Sequence, residues 1–263
     1  PKKSFVNCAI LPCDTGGVAT QSYNCLLNLA HLYGISDSTF LFENDRLLHI
    51  CKYNLGLNDA SFSNINFLIS QQLSSVFQPL EEIDSSLMLG NLTSHPDFKF
   101  LQVKTEPNFQ KQHFNFEGTM QWSFLTKALV KPLFGSLRYQ SNERKLQNKI
   151  ISSVLVTRGS EPLTANCVKT FKESKDYVRW LPKEESFKLY NQKVPFLNYQ
   201  KYISLIYNSN SVYLPLNMIV DNAWTSFTHG AFLHHYKKYD IDEDYFLESF
   251  QKMENILDNY KCL

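Results

Sequence analysis

Phe62 and Asn66 lie four residues apart in Ser61-Phe-Ser-Asn-Ile-Asn66, so on a helix they project from one face near its amino end. A flat ring with an amide one turn on can hold a nucleobase, because the ring stacks and the amide supplies both a donor and an acceptor to the base edge. The same pair also serves as a core residue and a cap, and on spacing alone that ordinary reading is the stronger. Asn44 is a third candidate. It follows Ser38-Thr-Phe-Leu-Phe42, which reads as a strand, and in open α/β sheets ligand loops lie beyond the carboxyl ends of strands.

Other chemistry is poorly provided for. Only nine glycines occur, with no G-x-G-x-x-G, Walker sequence or other glycine-rich cradle, so a nucleotide can meet its base here but not most of its phosphates. The six cysteines form no C-x-x-C pair and sit mostly in apolar stretches, which predicts reduced, buried thiols. His229, His234 and His235 match no common zinc spacing and read as packing residues. Metal ligands are therefore not expected.

The bulk properties narrow the class further. With 263 residues, 43% hydrophobic and 19% charged, the chain can bury a substantial core and has room for two domains with appended helices. Its 26 Lys+Arg against 25 Asp+Glu leave a charge of +1 and no basic run, so neither nucleic acid nor an anionic membrane is indicated as a partner. There is no apolar run of membrane length and no secretory pattern at the start, so the expected compartment is the cytoplasm.

The elements that must position the candidates follow from periodicity. Phe62, Ile65, Ile69, Leu73 and Val76 advance by three or four, and Leu68 and Phe77 widen the stripe, which predicts a buried central helix over 61–78. Asn58, Asp59 and Ser61 offer N-cap oxygens, and Pro79 cannot continue the ladder. Upstream, Phe5–Leu11 and Ser38–Phe42 read as strands, with helices from Gln21 to Leu32 and, capped by Asp45, from Arg46 to about Leu55. Strand, helix, strand, helix, helix is an α/β order.

Beyond Pro79 a short helix leads to an alternating strand over Phe98–Val103, and a second domain begins about there. An amphipathic segment runs from Met120 to about Val130, and Ser136–Lys149 reads as an exposed loop. Strands follow at Ile150–Val156, Ser186–Val194 and Tyr202–Tyr207, with a helix from Ala165 to Tyr177, which suits an α+β domain. The end carries a helix pair, marked by Leu216, Ile219, Val220, Ala223 and Phe227 and by Phe246, Phe250, Met253, Leu257 and Tyr260.

Six motifs, in order and spacing, resemble the tubulin superfamily: Tyr23-Asn24, Glu43-Asn44-Asp45, Ser61-Phe-Ser-Asn-Ile-Asn66, Asn91-Leu-Thr-Ser-His-Pro96, Leu155-Val-Thr-Arg-Gly159 and Ala231-Phe-Leu-His-His-Tyr236. They cover nearly the whole chain. Gln21-Ser-Tyr-Asn24, Leu73-Ser-Ser-Val-Phe-Gln-Pro79, His95-Pro-Asp-Phe98 and the stretch from Tyr239 to Phe250 look most like its delta branch.

The fold this resemblance implies is α/β. It comprises the second half of a tubulin-like GTP-binding Rossmann-type domain with its central helix (1–96), an intermediate α+β domain (97–215) and carboxy-terminal helices (216–263). The family's glycine-rich phosphate signature belongs to an amino-terminal part not found in this sequence, so the chain is expected to be a carboxy-terminal portion. With half its sheet absent, the first domain is expected to expose strand edge and apolar surface.

By the same resemblance Asn44 and Asn66 would hydrogen-bond guanine and Phe62 would stack on it, where the family commonly has Tyr. Gly17 and Gln21 match positions near the ribose that are usually acidic in tubulins. The implied cofactor is GTP, held on its base and ribose side, with Mg expected in the amino-terminal part. In polymerising tubulins an acidic residue after the central helix helps activate water at the next subunit. The matching position is Leu87, with Asp84 one turn earlier, so hydrolysis is not carried over.

The loop of about Lys104 to Glu117 would make lateral contacts. Epsilon-tubulin and alpha/beta-tubulin are the implied partners, at centrioles, basal bodies and cilia. A non-polymerising scaffold without nucleotide turnover and a self-standing nucleotide hydrolase are the alternatives.

Overall fold

The computed structural model describes residues 4–13, 16–57, 59–79, 84–108, 121–130, 147–172 and 175–263. Strands β1 (Val6–Leu11), β2 (Ser38–Glu43), β3 (Phe100–Glu106), β4 (Ile150–Gly159), β5 (Phe187–Gln192) and β6 (Lys201–Ser209) form one sheet in the order β1-β2-β3-β6-β4-β5. The β1, β2 and β3 pairings are parallel, β6 lies antiparallel between β3 and β4, and β5 runs parallel to β4. The fold is therefore mixed α/β, as expected. The junction between β2 and β3 is narrow, with only Thr39 opposite Phe100 and Phe40 opposite Leu101.

Helices cover both faces. On one side α1 (Gln21–Ile35), α8 (Tyr213–Thr228) and α10 (Glu243–Lys261) share a core with Ala9, Leu41 and Phe100. On the other, α2 (Asn44–His49), α3 (Phe62–Phe77) and α4 (Ser85–Leu92) bury Phe40, Leu101, Val154 and Ile206. A third core lies between α5 (Trp122–Val130), α6 (Ala165–Lys172) and the β4–β6 region. The remaining helices, α7 (Lys183–Ser186) and α9 (Leu233–Lys237), are short.

The central helix α3 forms for the reasons its sequence suggests. Ser61 is its N-cap in a capping box with Asn64, and each side chain reaches the other's backbone N–H, an arrangement worth about 1 kcal/mol. Ile65, Leu68, Ile69 and Val76 are buried, each contributing roughly 1.5–3 kcal/mol. One expectation needs correction, and one burial was not foreseen. Phe62 is 77% exposed, because the buried arc of α3 centres on Ile65, Leu68, Gln72 and Val76 and the first helical residue lies at its edge. Gln71, Gln72 and Ser75 are buried, because β6 and β4 cover a second face of the helix that no apolar stripe marks.

Other departures have equally local causes. Asp45 lies in the first turn of α2, whose N-cap is Glu43, and the helix widens into a π turn over Ile50–Asn54, where Leu55 N–H bonds Ile50 O. The strand β3 is buried on both faces rather than half-buried, since Phe100 meets Tyr260 of α10 while Leu101 and Val103 meet the α3 layer. Helix α6 ends at Lys172 instead of Tyr177, and Ile150 bridges Tyr177.

Of the loop read over Ser136–Lys149, residues 136–146 lie outside the described residues, and Asn148 is buried. Residues 109–117 of the proposed lateral loop also lie outside them, while Lys104–Glu106 belong to β3. All six cysteines are free, but only Cys51 and Cys167 are buried. His229, His234 and His235 are exposed, so they are surface rather than packing residues.

Candidate functional site

The site sits where topology predicts, beyond the carboxyl ends of the parallel neighbours β1 and β2. β1 is an outer strand of the sheet, with Cys8 and Ile10 exposed. Its end, the following turn, one face of α1 and the start of α2 enclose an open cavity of about 390 Å³. Ile10, Leu11, Val18 and Leu29 supply its apolar wall, and Gln21, Asn24, Asn28 and Asn44 supply four carboxamides. Cys25 is the one thiol in the lining, and burial pushes its pKa up to about 12. It is protonated and non-nucleophilic at neutral pH.

None of the described residues that line the cavity carries a charge. The arrangement can therefore hold a neutral planar group or a sugar through amide donors and acceptors over an apolar wall. It supplies no general acid, general base or phosphate-binding cation. Among the described residues no group of three His, Cys, Asp or Glu could hold a metal ion.

Local contacts fix the lining residues. Gln21 opens α1 and its Nε2 donates to Cys13 O at 3.1 Å, which ties the turn after β1 to the helix. A Cβ on Gly16 would stand 1.7 Å from Gln21 Oε1, so a side chain there would displace the Gln21 amide. Gln21 thus spends part of its amide on the turn.

Asn44 begins α2 at a strand end held by charge: Glu43 Oε1 accepts from Gln102 Nε2 at 3.1 Å, and Gln102 Oε1 accepts from Ser211 Oγ at 2.5 Å. Behind it, burial opposes the Arg46 charge, but Tyr207 and Glu43 outweigh that and hold its pKa above the usual value. Burial, then the Arg46 charge, hold Lys104 well below an ordinary lysine, with Glu43 acting the other way.

Of the expected residues, the structure brings Gln21 and Asn44 into one cavity. Phe62 and Asn66 are not in its lining. They stand exposed at the amino end of α3, the helix packed against α2. The side chains of Asn28, Asn44 and Asn66 make no hydrogen bond among the described residues. Asn24 and Asn28 were not singled out by sequence reasoning as binding residues. Their i, i+3 and i+7 spacing from Gln21 along α1 was the available signal, since it places three amides on one face.

After the central helix, Leu87 is 61% exposed on α4, and Asp84 is committed as the α4 N-cap, its Oδ1 accepting from Ser86 N at 3.2 Å.

No family model matches the chain. Among curated proteins, it is 31% identical to the tubulin delta chain of Homo sapiens across 97% of its own length and 62% of that protein's. It is 31% identical to the Mus musculus tubulin delta chain, over 98% of this chain and 63% of that protein. To the tubulin beta-2 chain of Emericella nidulans it is 23% identical, over 99% of this chain and 59% of that protein. The chain thus spans about three fifths of the length of the relatives it matches. With similarity running its whole length and stronger to delta than to beta chains, this chain belongs to the tubulin superfamily and is delta-like.

Proposed function

We propose that this protein is a delta-tubulin-like, guanine-nucleotide-binding component of the cytoskeleton. It acts with other tubulins in the cytoplasm, in the organisation of centrioles, basal bodies, cilia and complex microtubule arrays. Alpha/beta-tubulin and epsilon-tubulin are its partners, and residues 1–96, 97–215 and 216–263 divide its labour among base recognition, intersubunit contact and outer surface. Asn44 and Asn66 read the guanine edge, Phe62 stacks on the base, and Gln21 lies on the ribose side. Phosphates and Mg are held by groups other than the described residues.

The observation that carries this reading is the uncharged, amide-lined cavity at the ends of β1 and β2, which holds both Gln21 and Asn44, in a chain of the tubulin superfamily. Amides discriminate a base edge, and none of the described residues lining the cavity is an acid or a base. The test is titration of the full-length protein with GDP, GTP and ATP, for wild type, Asn44→Ala and Asn66→Ala. Guanine preference with about tenfold weaker binding in each variant is expected, as one or two lost hydrogen bonds require. No guanine affinity in the wild type overturns the assignment and leaves the non-polymerising scaffold.

A further inference from the structure

One wall of the cavity is fastened to the far end of the chain. Asn24 lines the cavity, and its Oδ1 accepts from the Tyr236 hydroxyl at 2.6 Å. The preceding residue, Tyr23, is 1% exposed and donates to Ala231 O at 3.2 Å. The Tyr23 ring meets Tyr236 edge-on at 5.6 Å and Phe246 at 4.9 Å. Two successive residues of α1 therefore grip both ends of the 231–236 segment.

That segment needs gripping. Gly230 and Phe232 have φ of +61° and +60°, and a left-handed Phe persists only where its surroundings hold it. Asp240 closes the stretch with φ of +60°.

With its oxygen engaged, the Asn24 amide is left with Nδ2, which has no partner among the described residues. Nδ2 is a pure donor. We propose that Tyr236 is a positioning residue of the cavity: by holding Asn24 Oδ1 it turns the amide nitrogen to the ligand, and so couples occupancy of the cavity to the seating of residues 230–241. This rests on the nucleotide reading above. A ligand that accepts from Asn24 stabilises the amide orientation that Tyr236 requires, and by linkage a seated α9 strengthens ligand binding by the same factor.

The test combines GDP titration with amide hydrogen exchange of the full-length protein. In the wild type, GDP slows exchange across 230–241. In Tyr236→Phe, which removes only the hydroxyl, GDP binds about fivefold more weakly and the slowing across 230–241 is lost. Asn24→Asp keeps an acceptor for Tyr236 but no donor, so exchange without ligand stays near wild type while GDP binding falls. GDP binding that leaves 230–241 unchanged in the wild type, or equal affinity in Tyr236→Phe, overturns the coupling alone. Absence of GDP binding in the wild type overturns both the coupling and the nucleotide reading.

Discussion

The Arg158 guanidinium donates from Nε to Ser75 O at 3.1 Å, joining two residues 83 positions apart. Its NH2 group donates to Gln78 O at 2.9 Å. These carbonyls belong to the last turn of α3, whose own N–H partners have run out, and a cation is favourable at that end of a helix. Ser204 Oγ donates to Ser75 Oγ at 2.8 Å beside it. The central helix is thus capped at one end by its own Ser61 and at the other by strand residues brought in from β4 and β6.

Replacing Arg158 is expected to loosen that end. Arg158 is 3% exposed, and burial lowers its pKa. Arg158→Ala leaves two carbonyls without a donor and opens a void, so urea unfolding should show a loss of about 3 kcal/mol or more. Arg158→Lys, with one compact charge in place of a fork, should recover part of it. Wild-type stability in Arg158→Ala would mean that the α3 terminus finds other donors.

Tyr260 offers a cleaner subtraction. Its buried hydroxyl accepts from Phe100 N at 3.0 Å and donates to Asn208 Oδ1 at 3.2 Å, while Asn208 Nδ2 donates to Leu92 O at 3.0 Å and Phe98 O at 2.8 Å. Tyr260→Phe keeps the ring and strands one donor and one acceptor. A cost of about 2 kcal/mol in thermal or urea unfolding is expected. Asn208→Leu should cost more, since it also takes the side-chain donor from Phe98 O and one of two from Leu92 O, which keeps Ser152 Oγ.

Phe62 separates function from stability. At 77% exposed it contributes little to the core, so Phe62→Ala should leave unfolding within about 0.5 kcal/mol of wild type. Guanine nucleotide affinity should nevertheless fall by roughly an order of magnitude if the ring stacks on the base. An unchanged affinity in a calorimetric titration would remove Phe62 from the site.

Glu106 sets a pH dependence. Burial raises its pKa to about 7, partly opposed by a hydrogen bond from Asn108 N to Oε2 at 2.9 Å. The unfolded carboxyl ionises near pH 4.5, so between that value and about 7 the folded state holds the extra proton. Stability therefore falls as pH rises through this window, by up to about 3 kcal/mol at about 1.36 kcal/mol per unit. Unfolding midpoints measured from pH 4.5 to 7.5 should follow that slope in the wild type and flatten in Glu106→Gln. An equal slope in both would assign the effect to other groups.

The sequence by itself determined what short-range physics controls. A period of three to four with Ser61 before it and Pro79 after it specifies α3. Apolar runs or alternation mark most of the strands, and the parallel start of the sheet follows from strands separated by helices. Asn44 at a strand end was legible for the same reason. Tertiary structure alone decided what long-range packing controls.

The placement of β6 between β3 and β4 pairs residues about a hundred positions apart, and no local pattern encodes that partnership. Phe62 satisfies the apolar stripe yet faces outward, at the edge of the arc that α3 buries. Gln71, Gln72 and Ser75 look like a polar face but are covered by β4 and β6. Asn24 and Asn28 become a cavity wall only once α1 is laid beside β1 and the start of α2, and Asn24 meets Tyr236 only when the two ends of the chain pack together. Periodicity reports one face of one element, while the opposite face takes its character from whatever the rest of the chain puts against it.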